Sequence, residues 1–212
     1  MTITIVGAGN MGRGIASRLL AGGHAVTFVS HSPEKAAALA TELKAARPGA
    51  TVHVTPLAEG LRNDVVVLAL PFAAALAFAK ANAAALAGKT VVDITNPLNV
   101  TYDGLTTDSG RSAGEELAAA LPESNVVKAF NTTFAGTLVA GTAGGQPLDV
   151  LVAGNDDAAK ATVLTLVRDG GLRAIDAGRI ERSRELEGLA LLGITLQGPL
   201  GLGFQSAWKL VA

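Results

Sequence analysis

The run Ile3-Thr4-Ile5-Val6-Gly7-Ala8-Gly9-Asn10-Met11-Gly12-Arg13-Gly14 constrains the fold more than any other stretch of the chain. A short apolar segment of strand character leads into glycines spaced Gly7-x-Gly9-x-x-Gly12, and Met11, Ile15 and Leu19 then recur at the spacing of a helix face. The reading is strand, glycine turn, helix. Each glycine answers a physical need: Gly7 permits the tight turn, Gly9 lets a pyrophosphate approach the backbone, and Gly12 lets the helix pack closely on the sheet. The free N–H groups of the first helical turn face the anion. Three glycines alone are a weak signal, but placed between a strand and a helix they form the setting a dinucleotide site requires.

The unit then repeats. Ala25 to Val29 reads as a second strand, and Pro33 opens a helix to about Ala46 with Ser32 as its cap. Val52 to Val54 alternates as a short strand, while Val65 to Leu70 is the continuous apolar run of a central strand buried on both faces. Pro71-Phe72 begins an alanine-rich helix, and Lys89 to Ile94 is the next strand, ended by Thr95-Asn96-Pro97. Asn99 to Gly110 is polar and turn-rich. A helix from Ser112 to Leu121, a strand from Asn125 to Phe130 and a short helix from Thr133 follow. Leu148 to Ala153 and Leu172 to Ile175 complete the strands, with Asn155-Asp156-Asp157 capping the helix between them. This alternation predicts an α/β protein with an open, mainly parallel, doubly wound sheet and a small helical C-terminal part. No internal repeat or interdomain linker interrupts it.

Composition narrows the chemistry. Hydrophobic residues make up 49% of the chain, which suits a sheet covered on both faces, and 17 basic against 18 acidic residues leave a net charge of -1. Nothing marks a nucleic-acid surface. There are no cysteines, so disulfides, thiol nucleophiles and iron–sulfur clusters are excluded. His24, His31 and His53 lack metal-ligand spacing, and no metal is expected. No export signal is read at the N-terminus, where the first strand begins almost at Met1. Ala73 to Ala87 and Gly188 to Phe204 carry polar interruptions and fall short of roughly 18 continuous apolar residues, so no membrane span is read and a cytoplasmic location is expected.

The tip of the second strand selects the cofactor. An NAD site presents a carboxylate to the ribose there, whereas this chain presents Ser30-His31-Ser32. Lys35 follows in the first helical turn, where the macrodipole disfavours a cation and a phosphate ligand would explain it. Both features favour NADP(H). Gly110-Arg111-Ser112-Ala113-Gly114 mimics a nucleophile elbow, but no strand precedes it and no histidine follows it. A hydrolase is therefore rejected. Tyr102 has no lysine four residues on, and no acid–base unit stands out, so no catalytic residue is assigned. Hydride transfer between two stacked cofactors can rest mainly on positioning, which favours a redox cofactor as the second substrate.

These residues resemble the NADPH-dependent reductases of the deazaflavin coenzyme F-420 and the small dinucleotide-binding oxidoreductases around them. The likeness runs nearly end to end. It includes the glycine loop, Ser30 through Lys35, Arg111-Ser112-Ala113-x-Glu115, Gly154-x-Asp156-Asp157-x-x-Lys160, Asp176-Ala177-Gly178 and Ser183-Arg184-x-x-Glu187. It implies a Rossmann-type domain over residues 1–178, a C-terminal segment 179–212 completing the substrate pocket, and a homodimer. By the same resemblance NADP is held by Gly7, Ala8, Gly9, Asn10, Met11 and Gly12, and by Ser30, His31, Ser32 and Lys35. Leu70, Pro71 and Phe72 lie along the nicotinamide side, with Thr95, Asn96 and Pro97 nearby. The acceptor pocket is expected around Phe130, Asn131, Thr132 and Phe134. Family members often carry arginines where His31 and Ser32 stand and a threonine in place of Ala8, so weaker 2′-phosphate binding, or mixed use of NADPH and NADH, is expected. The alternatives are reduction of another small acceptor (a flavin, imine or ketone) and a non-catalytic NADP(H) sensor.

Overall fold

The computed structural model describes residues 1–108 and 110–211; Ser109, at the end of the polar segment, and Ala212, the last residue of the C-terminal segment, lie outside the described residues. The elements follow in the order β1 (Thr2–Val6), α1 (Asn10–Ala21), β2 (Ala25–Val29), α2 (Pro33–Ala46), β3 (Val52–Val54), α3 (Leu57–Gly60), β4 (Val65–Leu68), α4 (Phe72–Ala81), α5 (Ala83–Leu86) and β5 (Thr90–Asp93). Then come α6 (Ala113–Ala120), β6 (Asn125–Lys128), α7 (Ala135–Ala140), β7 (Thr142–Ala143), β8 (Gln146–Pro147), β9 (Asp149–Gly154), α8 (Asp157–Asp169), β10 (Arg173–Gly178) and, after a short turn of 3-10 helix, α9 (Ser183–Thr195). The main sheet has eight strands in the order β10-β9-β6-β5-β4-β1-β2-β3. β1 to β6 pair parallel, whereas β9 runs antiparallel to β6. The chain thus winds outward from β1 in one direction and from β4 in the other, a doubly wound Rossmann-type sheet.

The strand periodicity explains the two cores. In β4, Val65 and Val67 belong to one buried cluster with Ile3, Ile15 and Leu19, while Val66 and Leu68 belong to the other with Ala75, Ala79 and Leu117. A strand with both faces covered must be apolar at every position. The polar exception in β1 is satisfied: the Thr4 hydroxyl donates to the Gly60 carbonyl and accepts from Asn63 Nδ2. Burial of each such leucine contributes about 1.5–3 kcal/mol.

Several expected boundaries shift. β4 ends at Leu68 rather than Leu70, and β6 at Lys128 rather than Phe130. Ser32 occupies the N-cap position of α2, but its side chain does not cap; its N–H instead bonds Ser30 Oγ at 3.1 Å. Asp156 does cap α8, accepting from Ala159 N–H at 2.7 Å, whereas Asn155 Oδ1 accepts from Ile180 N–H. The hairpin β7–β8 is absent from the sequence reading, although Gly144 and Gly145 at its turn both take positive φ. No helix among the described residues is long and apolar enough to cross a membrane.

Candidate functional site

The strand order assembles the sequence-selected residues. The carboxyl ends of β2, β1, β4, β5 and β6 lie side by side, so Ser30–Ser32, the glycine turn, Leu70–Phe72, Thr95–Pro97 and Phe130–Phe134 follow one another along a single edge. That edge contains the point between β1 and β4 where the winding reverses, the place where open α/β sheets bind ligands.

The three glycines act differently. Gly7 has φ +110, and a Cβ there would run into the Ala69 carbonyl; a Cβ on Gly12 would run into the Gly7 carbonyl. These two are required by the fold itself. A Cβ on Gly9 would meet nothing within 4 Å, so its absence leaves open space beside the first turn of α1. No side chain caps α1 and its first turn holds no acidic residue. The free N–H groups, the helix dipole and the open approach fit a pyrophosphate. At the tip of β2, His31 and Lys35 are exposed, and Lys35 makes no ion pair among the described residues. Asn10 is also exposed, and Ala8 is half-buried.

From Met11 in the first turn of α1, a cavity of about 930 Å3 extends across the ends of β5 and β6 to the C-terminal segment. Its lining is mainly apolar. Of the sequence-selected residues, Met11, Asn96, Asn131 and Phe134 line it. Phe130 and Thr132 do not: Phe130 is 4% exposed and packs into the core beneath β6, and Thr132 is buried away from the cavity. Leu70, Pro71, Phe72, Thr95 and Pro97 lie along the edge without lining the cavity. Asn96 and Asn131 are paired, with Asn96 Nδ2 donating to the Asn131 carbonyl and Asn131 Nδ2 to Asn96 Oδ1, both at 2.9 Å. Further wall comes from Leu98, Thr101, Tyr102 and Asp103 and from Ile194, Gln197 and Phe204 near the end of the chain. The cavity's one carboxylate, Asp103, is held below the usual range by hydrogen bonds from Thr101 and Asn99. Among the described residues, no group of three or more His, Asp or Glu side chains could hold a metal.

Sequence reasoning missed the polar cluster at the ends of β5 and β6. Lys128, the last residue of β6, is fully buried, and its Nζ donates to Asp93 Oδ2 at 2.8 Å, Glu187 Oε1 at 2.7 Å and the Thr95 carbonyl at 2.5 Å. Glu187 also accepts from the N–H groups of Ala113 and Gly114 at the start of α6. Burial nonetheless pushes the Glu187 carboxyl up. The Ser183-Arg184-x-x-Glu187 motif is therefore a docking device. Glu187 ties α9 to α6 and β6, and Arg184 forms a bidentate pair with Glu115. A Cβ on Gly114 would strike Ser183 Oγ, which makes this approach dependent on glycine. Ser112 is fully buried and closes a capping box with Glu115, so the nucleophile-elbow pattern is a helix start.

Fold and edge together have the form of a Rossmann-type dinucleotide-binding protein. Residues 2–97 match the family described as NADP oxidoreductase, coenzyme F-420-dependent. The chain is 32% identical over 212 residues to the F-420-dependent NADP reductase of Methanocaldococcus jannaschii, covering 93% of each. It belongs to the F-420-dependent NADP reductase family. Its fold superposes with a TM-score of 0.85 and 34% identity on a provisionally assigned F-420-dependent NADP-reductase from Arthrobacter sp. FB24, covering 99% of both chains. It is also 31% identical to the rat metalloreductase STEAP3 over 89% of this chain, but spans only 36% of that longer protein.

Proposed function

We infer that the protein moves a hydride between NADP(H) and coenzyme F-420. The observation that carries this reading is the continuity of the apolar cavity with the glycine loop through Met11. A flat acceptor in that cavity would lie against the nicotinamide side of the edge. Bound NADPH would supply a hydride to the deazaflavin ring, with the accompanying proton drawn from solvent. The protein's own part is positional. Gly9 and the first turn of α1 would hold the pyrophosphate, Ser30, His31, Ser32 and Lys35 the 2′-phosphate, and the Asn96–Asn131 pair would fix the wall between the two substrates. Hydrogen bonds from Thr101 and Asn99 hold the Asp103 carboxyl below the usual range, so the proposal gives it no acid role.

The same reading assigns residues 1–178 to cofactor binding and 179–212 to completing the acceptor pocket, supported by Ile194, Gln197 and Phe204 in the lining. A homodimer is part of the proposal. Leu192, Leu200, Leu210 and Val211 are exposed apolar side chains of the C-terminal segment, and a second copy would cover them. A cytoplasmic location fits a soluble cofactor pair.

The test mixes purified protein with NADPH and oxidised coenzyme F-420 and follows the deazaflavin absorbance band against a no-enzyme control. Rapid loss of the band is expected. No loss, with NADPH binding confirmed in the same sample, overturns the reading.

A further inference from the structure

Among the described residues, three non-glycine positions take left-handed backbone, and all are aromatic: Tyr102 (φ 59), Phe130 (φ 62) and Phe204 (φ 57). Bulky side chains avoid this region, and such outliers persist only where the surroundings over-determine them. Tyr102 and Phe204 both line the large cavity, yet they are 61% and 50% exposed. Core burial therefore does not account for either ring. The chain is poor in aromatics, with six phenylalanines, one tyrosine and one tryptophan, but Tyr102, Phe134 and Phe204 all meet at this cavity.

Each exposed ring has its own scaffold. Tyr102 sits at the tip of a flap closed by the bridge between Leu98 and Leu105 and by Thr106 N–H to the Pro97 carbonyl. Within the tip, Asp103 Oδ1 accepts from Asn99 Nδ2 at 2.7 Å and Thr101 Oγ1 at 2.6 Å, while Asn99 Oδ1 accepts from Asp103 N–H. Phe204 is held from the other side of the cavity. Its N–H donates to Oε1 of the buried Gln197 at 2.8 Å, and Gln197 Nε2 donates to the Gly193 carbonyl and to Ser206 Oγ. The Phe204 ring meets Phe134 edge-on at 5.2 Å, which fixes its plane. Further on, Asp149 anchors the same strap by accepting from Lys209 Nζ and Leu210 N–H.

Two unrelated loops thus each hold one aromatic ring in an unfavourable backbone conformation at the mouth of one apolar cavity. We propose that Tyr102 and Phe204 are the specificity-determining jaws of the acceptor site, which grip a planar heteroaromatic ring between flap and strap. This deepens the hydride-transfer reading above and rests on it for the identity of the ring. Stacking requires a flat π-surface, so the jaws select a flavin-like acceptor over an aliphatic imine or ketone. In this proposal the ring of Tyr102, not its hydroxyl, is the functional element.

The experiment compares full-length wild type with Tyr102→Asn, Tyr102→Phe and Phe204→Asn, varying oxidised coenzyme F-420 at saturating NADPH. Asparagine tolerates the left-handed backbone and removes the ring. In both asparagine variants the Michaelis constant for the deazaflavin is expected to rise about tenfold, the size of one aromatic stack. The constant for NADPH does not move, the melting temperature of Tyr102→Asn does not fall, and Tyr102→Phe rescues the loss. An unchanged deazaflavin constant with intact turnover overturns the jaws and leaves the proposed reaction standing. If wild type fails to reduce the deazaflavin, the reaction is wrong and riboflavin decides the jaws. Quenching of riboflavin emission by wild type that is lost in Tyr102→Asn supports them; equal quenching by both, or none, overturns them.

Discussion

Lys128 Nζ lies 2.7 Å from Glu187 Oε1 in a region that solvent does not reach, and this pair joins the end of a central strand to the C-terminal helix that walls the cavity. With Asp93 on its other side, the lysine sits between two carboxylates. Removing one partner of a buried ion pair leaves uncompensated charge, so Lys128→Met is expected to cost about 3–5 kcal/mol in denaturant unfolding. The neutral set Asp93→Asn, Lys128→Met, Glu187→Gln should recover most of that loss. Burial raises the Glu187 carboxyl, so its contribution is fully present below the ordinary glutamate value and is lost as pH rises through the raised one. Glu187→Gln should therefore improve relative to wild type as pH increases.

The glycine loop separates fold from function. Gly7→Ala and Gly12→Ala force a Cβ into backbone carbonyls and are expected to cost about 1–3 kcal/mol or more. Gly9→Ala meets open space and costs at most about 1 kcal/mol as a helix-cap change. Its NADPH affinity should nevertheless fall sharply in a fluorescence titration. Equal affinity in Gly9→Ala and wild type would contradict the pyrophosphate placement.

The proposed function gives Lys35 the cofactor preference. It is exposed and makes no ion pair among the described residues, so Lys35→Ala should leave melting temperature unchanged. Loss of one charge-assisted bond raises the Michaelis constant for NADPH about tenfold. The constant for NADH should not respond, and equal wild-type constants for the two cofactors would remove the 2′-phosphate assignment.

Arg184 holds the Glu115 carboxyl below the usual range through a side-chain hydrogen bond. A depressed carboxyl contributes stability above its ordinary value and loses it as pH falls through the lowered one. Arg184→Ala should flatten this acid limb of the stability profile. Because Arg184 is about half exposed (47%), the effect at neutral pH should stay under about 1 kcal/mol.

The strand, glycine turn and helix of the proposed cofactor edge were legible because their determinants are local. Gly7 and Gly12 answer backbone collisions within one turn, and the run from Val65 to Leu68 records burial on both faces of a strand. The acceptor side depends on contacts between distant segments. Phe130 is expected at the acceptor pocket as the carboxyl end of its strand, but it takes left-handed backbone and its ring is buried in the core. Tyr102 and Phe204 lie in polar and glycine-rich stretches without periodicity, and only the fold brings them to one mouth. Lys128 ending Val126-Val127, opposite Asp93 ending Val91-Val92, was a readable pair of charges on adjacent strand ends. Its third member, Glu187, is 59 residues away in sequence and could be paired only through tertiary structure.

The central claim is direct hydride transfer between two cofactors in one cavity. Its most direct test uses NADPH deuterated on the transferred face of nicotinamide C4, reacted with oxidised coenzyme F-420 in ordinary water and analysed by mass spectrometry and proton NMR of the reduced deazaflavin. The account expects one deuteron on the deazaflavin ring carbon for each NADPH oxidised. Reduced deazaflavin carrying only solvent hydrogen at that carbon, or NADPH that binds and is never oxidised, would contradict it.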